Sequence, residues 1–259
     1  MSQTALVTGA SGGIGLDLAR EFAAHGFDLI LVARSADKLA ANAEELRRSN
    51  VAVEVITQDL EEVGAAEKLV QQLSARKLQV DVLVNNAGYG LVGRFDQLPT
   101  DGQVGMMNLN MTSLVALTRL LLPAMIERRS GRILNVASTA AFQPGPFMAI
   151  YYATKAFVLS FSEALGEELR GTGVTVTALC PGPVKTGFAE RAGATKSSLF
   201  QRRAVMASPA VARAGFAGCM AGRRVVVPGR TNWIGTKLVG LVPRGRVLKM
   251  VRGLNLSTH

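Results

Sequence analysis

Residues 4–25 read TALVTGASGGIGLDLAREFAAH, an apolar run followed by a glycine-rich turn and a helix-like segment. The run Thr4–Thr8 has the composition of a buried strand, and Ile14, Leu18 and Phe22 recur at the four-residue spacing of one helix face. Glycines let the turn bend tightly and approach a ligand closely. A helix N-terminus offers free N–H groups and the positive end of its dipole to a pyrophosphate. The pattern therefore predicts a nucleotide-binding strand–turn–helix unit.

The same alternation of strands and helices continues through the first 180 residues. The apolar runs lack polar alternation, as expected for parallel strands that are covered on both faces. The predicted strands are Thr4–Thr8, Phe27–Ala33, Val51–Thr57, Val80–Val84, Arg132–Ala137, Val174–Leu179 and Val225–Val227. Gly26 and Gly131 are predicted to end helices. No segment rich in Pro, Gly or Ser divides the chain, so we predict one α/β domain with a doubly wound parallel sheet over residues 1–259.

Composition narrows the class of protein. Hydrophobic residues make up 48% of the chain, which is ample for a large core. The two cysteines, Cys180 and Cys219, match neither a disulfide framework nor a metal-ligand spacing, so we predict no metal site and a reducing, cytoplasmic setting. The N-terminal residues do not resemble a signal peptide, and no uninterrupted apolar run reaches about 18 residues. A soluble protein is the expectation.

The net charge of +10 is concentrated towards the C-terminus, because 13 Lys or Arg and no Asp or Glu follow Glu190. This asymmetry favours an anionic partner, such as a membrane surface, a phosphate-bearing substrate or an acidic protein. A solvated, overcharged surface is the alternative. Residues 188–206 have weak patterning and are predicted to form a substrate flap, whereas residues 234–259 form a basic, amphipathic segment interrupted by Pro243. No nucleic-acid motif is present, so no nucleic-acid partner is expected.

Arg34 follows the second predicted strand, in the sequence Ala33-Arg34-Ser35. In NAD-selective sites of this architecture, an acidic residue near this point binds the ribose 2′-hydroxyl. No acidic residue occurs between Asp28 and Asp37, and the Arg34 guanidinium is suited to a 2′-phosphate. An exposed surface arginine is the alternative. The sequence therefore favours NADP(H).

Two polar segments follow the next predicted strands, Asp59-Leu60 after the third and Asn85-Asn86-Ala87-Gly88 after the fourth. Ligands bind at this edge of open α/β sheets. Asp59 is predicted to accept a hydrogen bond from an adenine amino group, and a helix N-cap is its alternative role. The two asparagines have the alternative of stabilising the strand end.

Tyr151 and Lys155 lie four residues apart in a helix-like segment and therefore share a helix face. A nearby ammonium lowers the pKa of a phenol from its usual value near 10, towards the range useful for proton transfer. Tyr152 is three residues from Lys155, so spacing alone leaves it as a competitor. Ser138 follows the fifth strand, where its hydroxyl could polarise a substrate carbonyl or simply begin a loop.

Taken in order, these motifs resemble the short-chain dehydrogenase/reductase family over most of the first 190 residues. The set is Thr8–Gly15, Asp59, Asn85–Gly88, Asn110, Ser138, Tyr151, Lys155 and Pro181-Gly182. The resemblance implies a Rossmann-type sheet of about seven strands. It also implies that Tyr151 is the catalytic acid/base, that Ser138 orients the substrate oxygen, and that Lys155 binds the nicotinamide ribose and lowers the Tyr151 pKa.

The resemblance assigns further residues. Asn110, with Asn108 as a competitor, would position a water in a proton relay with Lys155. Pro181, Gly182, Val184 and Thr186 would receive the nicotinamide. The predicted cofactor contacts are Gly9, Ser11, Gly12, Gly13, Ile14, Gly15, Arg34, Asp59, Leu60, Asn86, Ala87, Gly88, Tyr151, Lys155, Pro181, Gly182, Val184 and Thr186.

The predicted function is hydride transfer between NADP(H) and a carbonyl or secondary alcohol. Apolar residues are predicted to line the substrate space beside the 188–206 flap: Tyr89, Leu91, Val92, Phe142, Phe147 and Met148. They favour an apolar ketone, such as a 3-oxoacyl or steroid-like compound, and residues 27–46 resemble ketoacyl and long-chain reductases. The alternatives are a catalytically weak NADP(H)-binding regulator and a protein associated with a membrane surface. Family members usually form dimers or tetramers, so a homodimer or homotetramer is expected.

Overall fold

The fold is built on a seven-stranded parallel sheet, seen in a computed structural model that describes residues 2–192 and 205–256. The strands within these residues are β1 (Thr4–Thr8), β2 (Asp28–Ala33), β3 (Val53–Thr57), β4 (Val82–Asn85), β5 (Gly131–Val136), β6 (Val174–Leu179), β7 (Val184–Lys185), β8 (Met206–Ala207) and β9 (Val225–Val226). The large sheet has the order β3-β2-β1-β4-β5-β6-β9, and β7 and β8 pair separately. The predicted doubly wound α/β fold is confirmed.

Helices cover both faces of this sheet. The α-helices are α1 (Gly13–Ala24), α2 (Ala36–Arg47), α3 (Ala65–Ala75), α4 (Thr100–Met107), α5 (Ser113–Glu127), α6 (Ala149–Glu168), α7 (Phe188–Arg191), α8 (Ser208–Met220), α9 (Arg230–Leu238) and α10 (Arg244–Leu256). Helices α1, α2 and α8 pack on one face, whereas α3, α5 and α6 pack on the other. The part of the chain that the structure describes also has short 3-10 segments at Thr139–Phe142 and Val239–Leu241 and a π-helical turn at Asn108–Thr112.

The strand sequences are continuous apolar runs because the strands contribute side chains to the hydrophobic cores on both faces of the sheet. In β1, Ala5 and Val7 pack beneath α1 and α8, while Leu6 between them packs beneath α3 and α5. Side chains alternate between the two faces of a strand, and both faces of this sheet are covered. The register joins Val7 of β1 to Leu31 of β2 on one side and to Val84 of β4 on the other.

The strand order places a binding crevice between β1 and β4. The chain winds outwards from β1 to β3 on one side and from β4 to β9 on the other, so the connections diverge at the β1–β4 boundary. At such a switch point the loops that leave the carboxyl ends of the two strands turn in opposite directions and leave a crevice open. The glycine-rich turn after β1 and the residues after β4 therefore meet at one edge of the sheet.

The predicted helix ends are correct at one of the two glycines. Helix α1 ends at Ala24, and Gly26 adopts a left-handed φ of 78°, as a helix-ending glycine does. Gly131 does not end a helix, because α5 already ends at Glu127 and Gly131 is the first residue of β5. A Cβ at Gly131 would lie 2.7 Å from Cβ of Met125, so close packing of α5 accounts for this glycine.

The predicted substrate flap lies partly outside the described residues. Of the 188–206 flap, residues 193–204 lie outside the described residues, and its flanks form α7 and β8.

By length and composition, the continuous helical segment Thr100–Glu127 could cross a membrane. Its α5 part packs against α3 and β5, which is also the placement of a core helix in a globular protein.

Candidate active site

Hydrogen bonds of Thr8 and Asn86 hold the glycine-rich turn against the end of β4. The Thr8 hydroxyl accepts hydrogen bonds from the backbone N–H groups of Asn86 and Ala87, both at 3.0 Å. The Asn86 side chain donates to the Thr8 carbonyl at 2.9 Å. A Cβ on Gly15 would lie 2.4 Å from both Nδ2 of Asn86 and the Gly9 carbonyl oxygen. Asn86 and Gly15 thus shape the turn, which is the strand-end role that the sequence left open for Asn86.

Asn85 points away from the site. Its Nδ2 donates to Oδ1 of Asn135 at 2.9 Å and to the Thr118 hydroxyl at 3.1 Å, inside the protein. Asn135 in turn donates to Ser162 of α6 at 2.9 Å. This buried network joins β4, β5, α5 and α6, so Asn85 stabilises the strand end beneath the catalytic helix.

The N-terminus of α1 is open to a large cavity. The N-cap residue is Gly12, no side chain caps the helix, and no atom lies within 4 Å of a Cβ built on Gly12. The cavity has a volume of about 950 Å³ and is lined by Gly9, Ser11, Gly12, Gly13 and Ile14, among other residues. Uncapped N–H groups at a helix N-terminus, beside an open space, fit the pyrophosphate of a dinucleotide. The residues present therefore fit the nucleotide that the sequence predicts.

Arg34 and Lys38 lie at one end of the same cavity. The Arg34 side chain is 58% exposed, and its guanidinium lies 3.5 Å from Oδ2 of Asp59 and 3.9 Å from Oε2 of Glu61. These exposed pairs are weak and leave the guanidinium free to turn towards a phosphate. Lys38, in the first turn of α2, adds a second cation that was not among the predicted cofactor contacts.

Asp59 is not a helix N-cap, because α3 begins at Ala65 and its N-cap residue is Gly64. The Asp59 carboxylate accepts a hydrogen bond from the backbone N–H of Glu61 at 3.0 Å and so forms a tight turn. The backbone carbonyl of the neighbouring Leu60 accepts a hydrogen bond from the Ser113 hydroxyl of α5. Asp59 and Leu60 both line the cavity, at the adenine end that Arg34 and Lys38 define.

Ser138, Tyr151 and Lys155 meet at the other end of the cavity. Ser138 follows β5 and caps the short 3-10 segment by accepting a hydrogen bond from the Ala140 N–H at 3.1 Å. Tyr151 and Lys155 lie in the first turns of α6, and Nζ of Lys155 is 5.9 Å from the centre of the Tyr151 ring. Lys155 donates to the Val136 carbonyl at the end of β5, at 2.7 Å. Three predicted catalytic residues are therefore brought together.

The electrostatics of Tyr151 differ from the expectation. Burial raises the pKa of Tyr151 to about 12, and its hydrogen bond with Ser138 opposes that rise. Burial also lowers the pKa of Lys155 to about 8, so this ammonium is itself disfavoured. In the protein without a bound nucleotide, desolvation dominates the pKa of Tyr151, so the net shift is upward; the predicted lowering of this pKa by Lys155 stays a prediction.

The structure distinguishes Tyr151 from Tyr152. Tyr152 is buried, and its hydroxyl lies 3.5 Å from Oδ1 of Asn255 in α10. Its ring packs closely over Gly145, where a Cβ would lie 2.2 Å from the ring, and against Val247 of α10. Tyr152 is therefore held by the C-terminal helix, while Tyr151 is the tyrosine beside Ser138.

Asn110 is buried next to the site but does not line the cavity. Its side chain brackets the backbone of Tyr89, accepting from the N–H at 3.1 Å and donating to the carbonyl at 3.0 Å. It also donates to the Thr154 hydroxyl at 3.1 Å, which links the π-helical turn to α6. With these contacts, the side chain of Asn110 positions the loop after β4. Its predicted role in a proton relay remains a proposal.

The segment after β6 closes the cavity over the glycine-rich turn. Pro181, Gly182, Val184 and Thr186 all line the cavity, as do Ala87 and Gly88 from the facing loop. A Cβ on Gly13 would lie 3.3 Å from Cβ of Thr186, so the two segments nearly touch. This arrangement fits a nicotinamide held between them.

The substrate wall is only partly as predicted. Tyr89, Leu91 and Met148 line the cavity, and Val92, Phe142 and Phe147 do not. Phe142 packs on a cluster with residues of α6 and β6. Val92 packs on the cluster that contains Val247 and Val251 of α10, and Phe147 lines a small separate cavity. Periodicity did not reveal which apolar side chains face the core.

Gly90 is a site residue that no sequence motif indicated, and Phe188 was predicted only as the start of the flap. A Cβ on Gly90 would lie 2.9 Å from the Phe188 ring and 3.1 Å from the Tyr151 ring. The Phe188 and Tyr151 ring centres are 5.3 Å apart. Gly90 thus gives Phe188 access to Tyr151, and Phe188 forms an apolar wall directly at the phenol.

Comparison with known proteins gives consistent matches. A family model described as short chain dehydrogenase matches residues 3–197. The ketoacyl reductase HetN of a Nostoc species is 37% identical over 187 residues, 72% of this chain and 65% of that protein. The very-long-chain 3-oxoacyl-CoA reductase of Homo sapiens is 37% identical over 195 residues, 73% of this chain and 62% of that protein. The chain therefore matches less than two thirds of the length of either relative.

A solved structure is similar over a larger part of the chain. It is a short-chain dehydrogenase from Sphingobium yanoikuyae in complex with NADPH, with a TM-score of 0.82 and 34% sequence identity. The similarity covers 92% of this chain and 94% of that chain. It therefore extends beyond the 3–197 region into the C-terminal part.

Proposed function

Because this chain belongs to the short-chain dehydrogenase family, we propose that it is an NADPH-dependent reductase of apolar ketones, with Tyr151 as its proton donor. The oxidoreductase class follows from the family. The NADP(H) preference is supported by Arg34 and Lys38 at the adenine end and by the NADPH complex of the similar Sphingobium enzyme. The ketone class is supported by relatives named ketoacyl and 3-oxoacyl-CoA reductases.

One observation carries the proposal. A single cavity of about 950 Å³ joins the uncapped N-terminus of α1, the cations Arg34 and Lys38, and the triad Ser138, Tyr151 and Lys155. Each group alone has a structural explanation. Along one cavity, these groups follow the order in which a dinucleotide would present its phosphates and its nicotinamide. This arrangement favours a reductase over an unrelated binding module.

The chain provides orientation and a proton. When bound, the nicotinamide supplies the hydride. Ser138 and Tyr151 are placed to donate hydrogen bonds to the substrate carbonyl oxygen, which polarises the carbonyl before transfer. The Tyr151 phenol, with its pKa raised to about 12, is protonated at neutral pH and gives its proton to the alkoxide as negative charge develops there.

Lys155 has a separate task. One of its three N–H donors is used by the Val136 carbonyl, which fixes the direction of the ammonium group. The remaining two donors are available to the ribose hydroxyls that the family resemblance assigns to this residue.

The substrate class follows from the walls beside Tyr151. Phe188, Met148 and Leu91 present apolar surface next to the phenol. An acyl chain or a fused-ring ketone fits this surface better than a sugar or a charged acid does. The predicted cytoplasmic location stays part of the proposal, as does the homodimer or homotetramer, which is supported by exposed apolar residues on α5 and α6.

The decisive experiment replaces Tyr151 with Phe. Purified protein is mixed with NADPH and a panel of 3-oxoacyl thioesters and steroid-like ketones, and absorbance at the nicotinamide band is followed. We expect Tyr151→Phe to lower turnover by about a hundredfold or more, because the general acid is lost, and to leave the NADPH affinity within about twofold.

Tyr152→Phe is the matched control. It removes a neighbouring hydroxyl whose weak contact is with Asn255, so turnover should stay near that of the unaltered protein. Equal turnover of Tyr151→Phe and the unaltered protein would remove Tyr151 from the mechanism. NADPH binding without turnover on any ketone would instead favour the binding-only regulator.

A further inference from the structure

Helix α9 presents its apolar side chains to solvent and its polar side chains to the protein. Trp233, Ile234 and Leu238 are exposed by 53%, 48% and 53%. On the opposite side of α9, Asn232 and Thr236 are half-buried, and Asn232 donates to the Pro228 carbonyl at 2.8 Å. A helix that packs on a protein core has the reverse arrangement. The apolar side of α9 is therefore built to contact something outside the described chain.

The same exposed side carries cations. At helical spacing, Arg230 lies one turn before Trp233 and Ile234, and Lys237 lies one turn after Trp233. Both cations are exposed, and Leu241 in the turn after α9 is exposed by 80%. We call Arg230, Trp233, Ile234, Lys237, Leu238 and Leu241 the α9 face.

No acidic group in this part of the chain balances these charges. Residues 230–256 carry six Lys or Arg and no Asp or Glu, and no residue after Glu190 is acidic. Among the ion pairs of the described residues, none involves a cation from residues 230–256. A face that combines exposed Trp and aliphatic residues with unbalanced cations is complementary to an anionic lipid surface.

A second copy of the chain fits the α9 face less well. In a symmetric contact the same patch meets itself, so Arg230 and Lys237 would lie against the partner's cations. Such like-charge contacts oppose association. The C-terminal segment supplies no acidic side chains to relieve the repulsion.

We infer that the α9 face docks the protein on an anionic membrane surface, with Trp233 in the headgroup region. Binding through this face places the bilayer beside the active-site cavity. The inward side of α9 lies against Gly182, where a Cβ would be 2.6 Å from Nδ2 of Asn232, and Gly182 lines the cavity. The docking surface itself does not depend on the proposed reductase activity.

Trp233 is the sole tryptophan of the chain, so its fluorescence reports this contact without a label. Full-length protein is titrated with vesicles of phosphatidylcholine, with and without phosphatidylglycerol, and bound protein is also measured by pelleting. We expect a blue shift of Trp233 emission and pelleting only with the anionic vesicles. Both should weaken as salt rises, because exposed charges are screened within about 8 Å at physiological ionic strength.

Two sets of variants test the two properties of the α9 face. Arg230→Gln with Lys237→Gln should weaken binding to anionic vesicles by about thirtyfold, since each cation near the surface contributes about fivefold. Leu238→Gln with Leu241→Gln should weaken it by at least about tenfold through lost apolar burial. The matched controls are Lys68→Gln with Arg213→Gln, which removes the same charge elsewhere, and Val63→Gln, which alters another exposed apolar residue. The controls should bind as the unaltered protein does.

Several results would overturn the inference. Unchanged emission and no pelleting with anionic vesicles would do so, as would equal binding to both vesicle types. Blue-shifted emission without vesicles that disappears on dilution would assign the α9 face to a second copy of the chain. Ketone reduction by vesicle-free protein is measured in parallel, so failure of membrane docking is distinguished from failure of the proposed activity.

Discussion

At the scale of single residues, two glycines in one turn have different reasons to be glycine. Gly15 lies under the turn, where a Cβ would meet the Gly9 carbonyl oxygen and the Asn86 side chain at 2.4 Å. Gly12 faces the open cavity, and its φ of 167° is ordinary extended backbone. The first is required by packing of the protein on itself, whereas the second leaves room for the cofactor.

The pair gives a prediction. Gly15→Ala should lower the free energy of unfolding by about 1–3 kcal/mol, because backbone atoms must move, and should also weaken NADPH binding. Gly12→Ala should leave unfolding within about 0.5 kcal/mol and weaken NADPH binding by about tenfold or more, since its methyl group enters the pyrophosphate space. Denaturant titration and NADPH fluorescence separate the two. Similar stability loss in both variants would contradict this division.

Lys155 provides a prediction about pH. Its pKa falls from 10.5 to about 8 in the folded protein, so between these values the unfolded chain binds more protons and folding stability rises with pH. Lys155→Met removes this dependence. The stability of Lys155→Met relative to that of the unaltered protein should therefore fall by roughly 3 kcal/mol as the pH rises from below 8 to above 10.5.

Chemical denaturation of both cofactor-free proteins at several pH values tests this expectation. Comparing the two proteins cancels the opposite dependence of Cys219, whose pKa is raised to about 12 by burial. A stability difference that stays constant with pH would mean that Lys155 is charged in the folded protein to the same extent as in the unfolded chain.

At the scale of helices and strands, the C-terminal helix α10 supports the substrate side of the cavity. Val247 and Val251 are buried against Met148 and Tyr152, and Asn255 donates to the Pro146 carbonyl at 2.8 Å. The inward residues of α10 are spaced by four, which is one face of a helix. Met148, which lines the cavity, therefore depends on a helix about a hundred positions away along the chain.

Loss of this support should alter substrate binding selectively. Val251→Ala should lower the free energy of unfolding by about 1–2 kcal/mol and raise the KM for an apolar ketone, while the NADPH affinity stays the same. The neighbouring Met250→Ala, at a side chain that is 54% exposed, is the control and should change neither quantity. Steady-state kinetics with each substrate varied in turn provides the measurement, and an equal KM in Val251→Ala would remove α10 from the substrate site.

The strands were the most predictable elements, and the reasons are physical. A strand such as Val174–Leu179 is buried on both faces, so its whole composition reports its environment. Apolar residues outside the strands were harder to place, because Phe142 and Phe147 look equally apolar and only the tertiary packing decides where each one points. The break at Pro243 was recognised, but the reversed amphipathicity of α9 became visible only once the buried side of that helix was known.

The sequence predicted which residues form the site, but it did not predict which of the two tyrosines lies beside Ser138 or the pKa of that tyrosine. Order and spacing identified Ser138, Tyr151 and Lys155, which the fold brings together. Spacing could not separate Tyr151 from Tyr152, because the distinction depends on Asn255 of α10. The pKa of Tyr151 could not be obtained from the Lys155 spacing either, since burial by residues distant in sequence dominates it.

At the scale of the whole molecule, the proposed oligomer has a candidate surface on α5 and α6. Leu120 is exposed by 39% and Phe157 by 41%, and the Phe157 ring stacks on Phe161 at 5.9 Å. Apolar side chains clustered on neighbouring helices favour association through a contact that buries them.

Phe157→Glu tests this surface. Light scattering should give a dimer or tetramer for the unaltered protein and a smaller species for Phe157→Glu, because burying an unpaired carboxylate at an interface is strongly unfavourable. Phe95→Glu, at a residue exposed by 65%, is the control and should keep the original mass. A monomeric unaltered protein would contradict the proposed assembly.

The hydrogen bond from Asn255 to Pro146 has a thermodynamic consequence that concerns two ligands at once. It connects the C-terminal helices to the loop that leads into Met148 at the cavity wall. If occupation of the α9 face shifts these helices, the affinity for the ketone changes by some factor. By linkage, the ketone must change the affinity of the α9 face for its own ligand by the same factor. Substrate would then influence how long the protein stays at a surface, as well as being converted there.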